Sequence, residues 1–266
     1  FTGHPFKVRD DAEMNTLIES IQTQGVLSPL IVRPIENTEE YEVISGHRRL
    51  HAAQKAGITD VPALIYALDR DAAAIAVVDS NLHREHILPS EKAFAYKLKR
   101  DAMAHQGRTS PQLGEKSLTV EKIGAEAGDS KNQVLRYIRL THLIPKLLDL
   151  MDEGKIALMV GEALSYLGDE EQYAVLEQCE INDCTPSYAQ AVEMKKRYQG
   201  GNLTVENISE ILSREKANQR ETIKIPTEKL RKYAPNADAK QLEDFILKAC
   251  EYYRKFLIRQ RNRDER

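Results

Sequence analysis

The chain has no tryptophan and three cysteines, and aromatic residues make up 6% of its 266 positions. Cys179, Cys184 and Cys250 form no CxxC pair and no even set, which excludes a disulfide framework, gives no support to a structural zinc site and fits a reducing compartment. No apolar run approaches the ~20 residues of a membrane span, and the opening residues show no signal-peptide pattern, so the expected setting is cytoplasmic with no membrane partner. Excess charge is missing too. A formal charge of −3 and a pI near 6.2 exclude a uniformly basic nucleic-acid coat, so any such contact must come from local clusters. What remains, 41% hydrophobic and 30% charged residues, suits a chain able to build two or three cores.

The most informative segment is Tyr41-Glu-Val-Ile-Ser-Gly-His-Arg-Arg-Leu-His-Ala-Ala-Gln-Lys-Ala-Gly57. An apolar strand runs into Gly46, then into a helix whose first turn carries Arg48 and Arg49. Glycine allows close backbone approach, the first helical N–H groups are unpaired, and guanidinium forks match phosphate oxygens, so the segment reads as an anion cradle. Around it, periodicity gives an extended Pro5–Val8, a helix from Asp11 to Gln24 ended by Gly25, strands at Pro29–Arg33, Glu42–Ile44 and Val61–Tyr66, and a helix over Arg70–Val78.

From Ser90, read as an N-cap, the pattern is helical: Lys92 to His105, a loop over 107–114, then a helix-turn-helix at about 119–139. Thr119–Ala127 makes its first helix, Gly128 the turn, and Ser130-Lys-Asn-Gln133 a capping box opening the second. Val134, Leu135 and Ile138 are expected to face inward. Ser130, Lys131, Asn132, Gln133, Arg136 and Arg139 are left to meet bases and phosphates. Helices follow at Pro145–Gly154, Ala157–Leu167 and Glu170–Tyr198, a linker at Gly200-Gly201-Asn202, a short helix at Val205–Lys216 and a polar joint over 217–221. The last helix repeats Leu242, Ile246, Ala249, Tyr253 and Phe256 at spacings of four and three, a seam for a second copy or for its own module, before a basic end, Arg254, Lys255, Arg259, Arg261, Arg263 and Arg266. The expected class is α+β: a small mixed α/β domain (1–88), a helical DNA-binding domain (89–200) and a small C-terminal helical module (201–266).

Three segments, Gly25-Val-Leu-Ser-Pro-Leu-Ile-Val-Arg33, Gly46-His-Arg-Arg-Leu-His-Ala52 and Ser80-Asn-Leu-His-Arg-Glu-His-Ile-Leu-Pro-Ser-Glu91, followed by the helix-turn-helix, together resemble the ParB partition family. They look most like its plasmid and conjugative-element members. The resemblance implies a bacterial, nucleoid- or plasmid-associated homodimer that binds a palindromic centromere-like site in double-stranded DNA. It further implies CTP with Mg²⁺ closing the protein into a DNA clamp, and a ParA-type ATPase as partner. By the same resemblance Ser45, Gly46, His47, Arg48 and Arg49 form the triphosphate box, Gly25, Ser28 and Pro29 the wall near the cytosine, and Asn81 and Arg84 the second phosphate and metal segment, with Asn81 a ligand for Mg²⁺ or its waters. The chain departs from the family pattern where His47 and Ser80 replace glutamates, which weakens metal binding and hydrolysis before phosphate binding, so at most slow CTP hydrolysis is expected.

Other readings compete. His47/His51 and His83/His86 are two helically spaced pairs that a zinc site would use, without an accompanying Cys or carboxylate. A nuclease would have to draw on Asp79, Glu85 and Glu91. Sulfiredoxin chemistry is excluded because no cysteine precedes Cys179. A helix-turn-helix transcription regulator without nucleotide use is the third.

Overall fold

An aspartate sits where the first helix should be capped, and it caps it. In the computed structural model, which describes residues 1–84, 86–106, 115–214, 227–235 and 238–264, the Asp11 carboxylate accepts the Met14 N–H at 2.8 Å, α1 spans Ala12–Gln24, and Gly25 ends it at φ +73°. Met14 and Ile21 of α1 bury against Ala52 and Ala53 of α2 (His47–Lys55). Three short strands form a mixed sheet ordered β2-β1-β3: β1 (Leu30–Pro34) pairs antiparallel with β2 (Tyr41–Ser45) and parallel with β3 (Ala63–Ile65). The stretch Pro5–Val8 joins no strand of the sheet. Ile44 buries with Ala73 and Val77 of α3 (Arg70–Asp79), so α3 covers the sheet.

Helices make up the rest, giving an α+β fold: α4 (Pro89–Gln106), α5 (Glu115–Ala127), α6 (Lys131–Leu140), α7 (Pro145–Asp152), α8 (Leu158–Leu164), α9 (Asp169–Ile181), α10 (Tyr188–Gln199) and α11 (Val205–Ser213). Ser90 does not cap α4. Asp152 instead accepts the Ser90 N–H at 2.9 Å and the Ser90 hydroxyl at 2.5 Å, while the Glu91 carboxylate accepts the N–H groups of Leu88 at 3.1 Å and Lys7 at 2.9 Å. The helix expected over Glu170–Tyr198 is two, because Asp183 turns left-handed (φ +45°), Pro186 offers no N–H, and Ser187 with Gln190 closes a full capping box at the start of α10.

Two buried clusters carry the helices. Phe6, Val78 and Leu82 join Ala95 and Tyr96 of α4 and Val120, Ile123, Val134 and Ile138 of α5 and α6. The larger cluster runs from Ala93 through Leu147, Leu164 and Met194 to Ile208, Ile211 and Leu212. Since α11 is buried in it, the compact unit Phe1–Arg214 extends past the Gly200-Gly201-Asn202 turn.

The second unit, Glu215–Arg266, contains α12 (Thr227–Arg231) and α13 (Ala239–Asp264). Asp238 and Gln241 exchange cap hydrogen bonds at 2.8 and 3.0 Å at the start of α13. Of the seam residues Leu242 is buried and Ile246 half-buried, while Ala249, Tyr253 and Phe256 are exposed. The readings at 107–114, 217–221, Glu85 and Arg266, and the side chains of Arg259, Arg261 and Arg263, lie outside the described residues.

Candidate functional site

Glycine is required where β2 turns into α2. Gly46 has φ +101°, and a Cβ there would lie 2.6 Å from Leu30 Cδ2. As the N-cap it brings no side chain, and no side-chain hydrogen bond caps α2, so the N–H groups of the first turn stay available to an anion.

The side chains that follow divide. Arg49 folds back onto the carbonyls of Ser28 (2.5 Å) and Pro29 (2.8 Å), tying the segment after Gly25 to α2. Arg48 reaches Glu13 at 3.2 Å and Asp11 at 3.5 Å. His51 and Lys55 meet Asp10 at 2.8 and 2.7 Å, and these two hydrogen bonds hold the Asp10 carboxyl below its usual range. One side of α2 is thus neutralised by the acidic start of α1. The two histidines of this helix face different partners, since the His47 ring packs against His4 with ring centroids 3.8 Å apart. Burial, then the neighbouring His4, lowers the His47 pKa to about 3, so the ring is neutral at pH 7. The Nε2 atoms of both rings are buried without a hydrogen-bond partner among the described residues.

Arg84 brings the third motif segment to this place. Its guanidinium lies over the Phe6 ring at 5.5 Å and has no carboxylate in ion-pair range among the described residues. Burial lowers its pKa, as does Arg48, against the opposing pull of Glu91. Gly46, His47, Arg48 and Arg84 therefore come together. Asn81 stays within its own turn: it is buried, and its Nδ2 donates to the Val77 carbonyl at 2.7 Å and to the Ser80 hydroxyl at 3.1 Å. Ser45 ends β2, paired with Ile31. His4 and Phe6 are neighbours that periodicity did not single out, while Glu91 of the third motif segment reaches Lys7, 84 positions away.

Of the carboxylates named for a nuclease, the two described ones are engaged elsewhere. Asp79 is held by Lys99, and Glu91 by two backbone N–H groups. Among the described residues no three His, Cys, Asp or Glu side chains form a group able to hold a metal ion.

The helix-turn-helix is built on α4. Gly128 turns at φ +73°, and Gly124 is obligatory because a Cβ there would sit 2.5 Å from the Asp129 carbonyl. Asp129 accepts the Tyr96 hydroxyl at 2.6 Å and the Lys92 ammonium at 2.7 Å; burial and this carboxylate push the Tyr96 phenol up. Ser130 caps α6, accepting the Gln133 N–H at 3.2 Å. Val134 and Ile138 are buried as expected. Leu135 is not: 44% exposed, it shares the outer face with Asn132. The basic residues of that face are held from neighbouring helices, Lys131 by Glu121 (3.0 Å), Arg136 by Glu162 (3.2 Å) and Arg139 by the Ser165 carbonyl (2.7 Å).

Residues 2–82 match the family model described as the ParB N-terminal domain. The chromosome-partitioning protein Spo0J of Thermus thermophilus is 32% identical over 194 residues, 73% of this chain and 65% of that protein, so the chain spans just under two thirds of this relative's length. A truncated chromosome-partitioning protein ParB from Caulobacter crescentus complexed to the centromeric parS site covers 79% of this chain and 92% of its own at 23% identity and a TM-score of 0.41. The same protein complexed with CTP-γ-S covers 67% and 91% at 27% identity and a TM-score of 0.30.

Proposed function

We propose, from the match of residues 2–82 to the ParB N-terminal domain model, that the chain is a ParB-type partition protein that binds duplex DNA through α5 and α6 and a nucleoside triphosphate, CTP by the family resemblance, at the start of α2. The observation that carries the nucleotide reading is the uncapped turn after Gly46 with the Arg84 guanidinium beside it, which makes no ion pair among the described residues. Helix-start N–H groups and a guanidinium fork are the donors a phosphate chain needs. Arg49 acts one step removed, fixing the Ser28–Pro29 carbonyls that wall the site. Asn132, Leu135 and Arg136 are the base-reading side chains of α6: amide to adenine, isobutyl group to a thymine methyl, guanidinium to guanine. The exposed part of the α13 seam pairs two copies, and two copies present two reading helices to a two-fold site.

The residues present do not fit a protein-held Mg²⁺. Asn81 is turned into its own helix end, Glu91 is engaged by backbone, and the family glutamates are His47 and Ser80. Neutral, low-pKa His47 is also a poor general base, so bound CTP acts as a switch ligand with at most slow turnover. A second reading, DNA binding without nucleotide, draws support from the pairing of Arg48 with Glu13. Titrating CTP, ATP, GTP and UTP against the chain with and without duplex DNA tests the choice. Saturable CTP binding abolished by Arg84→Ala is expected; no binding of any of the four leaves the regulator.

A further inference from the structure

Beyond the end of α6 lies a group of cations that the groove-reading face does not account for. Lys195 Nζ sits 3.3 Å, and the Arg139 guanidinium carbon 4.2 Å, from the centroid of the Tyr166 ring. Arg139 is fixed in that position by Ser165, donating to its hydroxyl at 3.2 Å and its carbonyl at 2.7 Å. Exposed His142 follows. Burial lowers its pKa, and its electrostatic neighbours Arg139, Lys97 and Arg100 all lower it further. Lys97 and Arg100 are three apart on α4 and so share a face. Among the described residues the one carboxylate in ion-pair range of these four cations is Asp101, on Arg100 at 2.7 Å. A chain of net charge −3 thus concentrates positive charge, contributed by three helices, at one place.

We propose that Lys97, Arg100, Arg139 and Lys195, gathered around Tyr166 and His142, bind the sugar-phosphate backbone of duplex DNA beside the groove that α6 reads. The partner follows from continuity. Asn132, Arg136 and Arg139 are spaced four and three, one stripe along the helix, and Arg139 lies about 10 Å beyond Asn132. The major groove is about 12 Å wide. A helix with Asn132 on base edges therefore carries Arg139 to the groove wall, where phosphates stand, and Lys97, Arg100 and Lys195 extend the contact along that wall. Such contacts set register and orientation without reading sequence.

The inference rests on the DNA-binding reading above, and its test separates the two. Because phosphate contacts dominate nonspecific binding, a fluorescein-labelled duplex of arbitrary sequence serves as probe, with anisotropy followed from about 50 to about 200 mM NaCl. Lys97→Gln/Lys195→Gln should lower the magnitude of the slope of log K against log salt by about 1.8, two contacts' worth, and Lys97→Arg/Lys195→Arg should keep it. Neither lysine has an ion-pair partner to lose among the described residues, and thermal melts of both variants confirm that they fold. Wild-type binding with an unchanged slope in the glutamine variant overturns the patch and leaves the reading helix standing. Wild-type chain that binds no duplex at any salt overturns the DNA reading, and the patch with it.

Discussion

Lys99 is 2% exposed as a side chain, yet its ammonium donates to two carboxylates, Asp79 at the end of α3 and Glu126 near the end of α5, which are 49% and 55% exposed. This asymmetry makes the triad's energetics depend on which member is removed. Burial alone would lower the Lys99 pKa, but the hydrogen bonds to Asp79 and Glu126 outweigh it and the net shift is upward. The stabilisation is therefore whole below the ordinary 10.5 and is lost only as pH rises through the higher folded value. Replacing both carboxylates with amides, Asp79→Asn/Glu126→Gln, leaves a buried cation without countercharge, at a cost of about 3 kcal/mol, the low end for a broken buried pair because water reaches the carboxylate side. Lys99→Met removes the buried charge and returns two half-exposed carboxylates to solvent, a loss of about 0–1 kcal/mol. For a unit of this size ~3 kcal/mol is about 6–12 °C in Tm. Thermal and urea melts at pH 7 should rank the amide pair far below Lys99→Met, and adding Lys99→Met to the amide pair should recover most of the loss. A Lys99→Met variant as unstable as the amide pair, or a triple variant without recovery, refutes the argument.

Gly46→Ala should cost about 1–2 kcal/mol from the left-handed backbone, plus displacement of Leu30, and should weaken CTP binding in the same titration that tests Arg84. Gly124→Ala forces a Cβ against the Asp129 backbone carbonyl, which cannot swing aside, so about 1–3 kcal/mol of stability and duplex binding should fall together in melts and anisotropy. His47 protonates near pH 3 when folded and near 6.5 when unfolded, so its contribution is present above 6.5 and lost as pH falls towards 3; His47→Gln should flatten stability against pH over that window in urea melts.

Local signals were legible where neighbours in sequence are neighbours in space. The caps of α1 and α6, the glycine ends, the three strands and the two halves of the helix-turn-helix follow from spacing alone. What failed was decided at a distance. Ser90 has the chemistry of a cap, but Asp152 from across the fold draws its hydroxyl and accepts its N–H. Leu135 fits the apolar period of α6, yet the core is completed by Val134 and Ile138, and it stays outside. Arg48 and Arg49 look equivalent in sequence. One meets the acidic start of α1 and the other two carbonyls beside β1, because adjacent residues on a helix point 100° apart. The His4 ring that packs against His47 carries no local signal.

The parts the sequence shows as separate motifs are joined by one helix. Along α4, Glu91 holds Lys7 and Leu88 beside the Arg84 segment, Lys92 and Tyr96 hold Asp129 in the turn before α6, and Lys99 binds α3 and α5 at once. Each of these ties is a charged or hydroxyl group in a largely buried setting, where losing a partner costs more than the contact itself is worth. A shift of the segment carrying Arg84, which lies between the end of α3 and the start of α4, therefore cannot be absorbed locally by soft apolar packing. It must either break Lys99 from Asp79 or carry α5 along through Glu126. If the proposed function holds, coupling between an anion at α2 and α6 needs no long relay: α4 is tied both to the Arg84 segment and to the helix-turn-helix, so a ligand that favours one position of Arg84 would favour one setting of the helix-turn-helix.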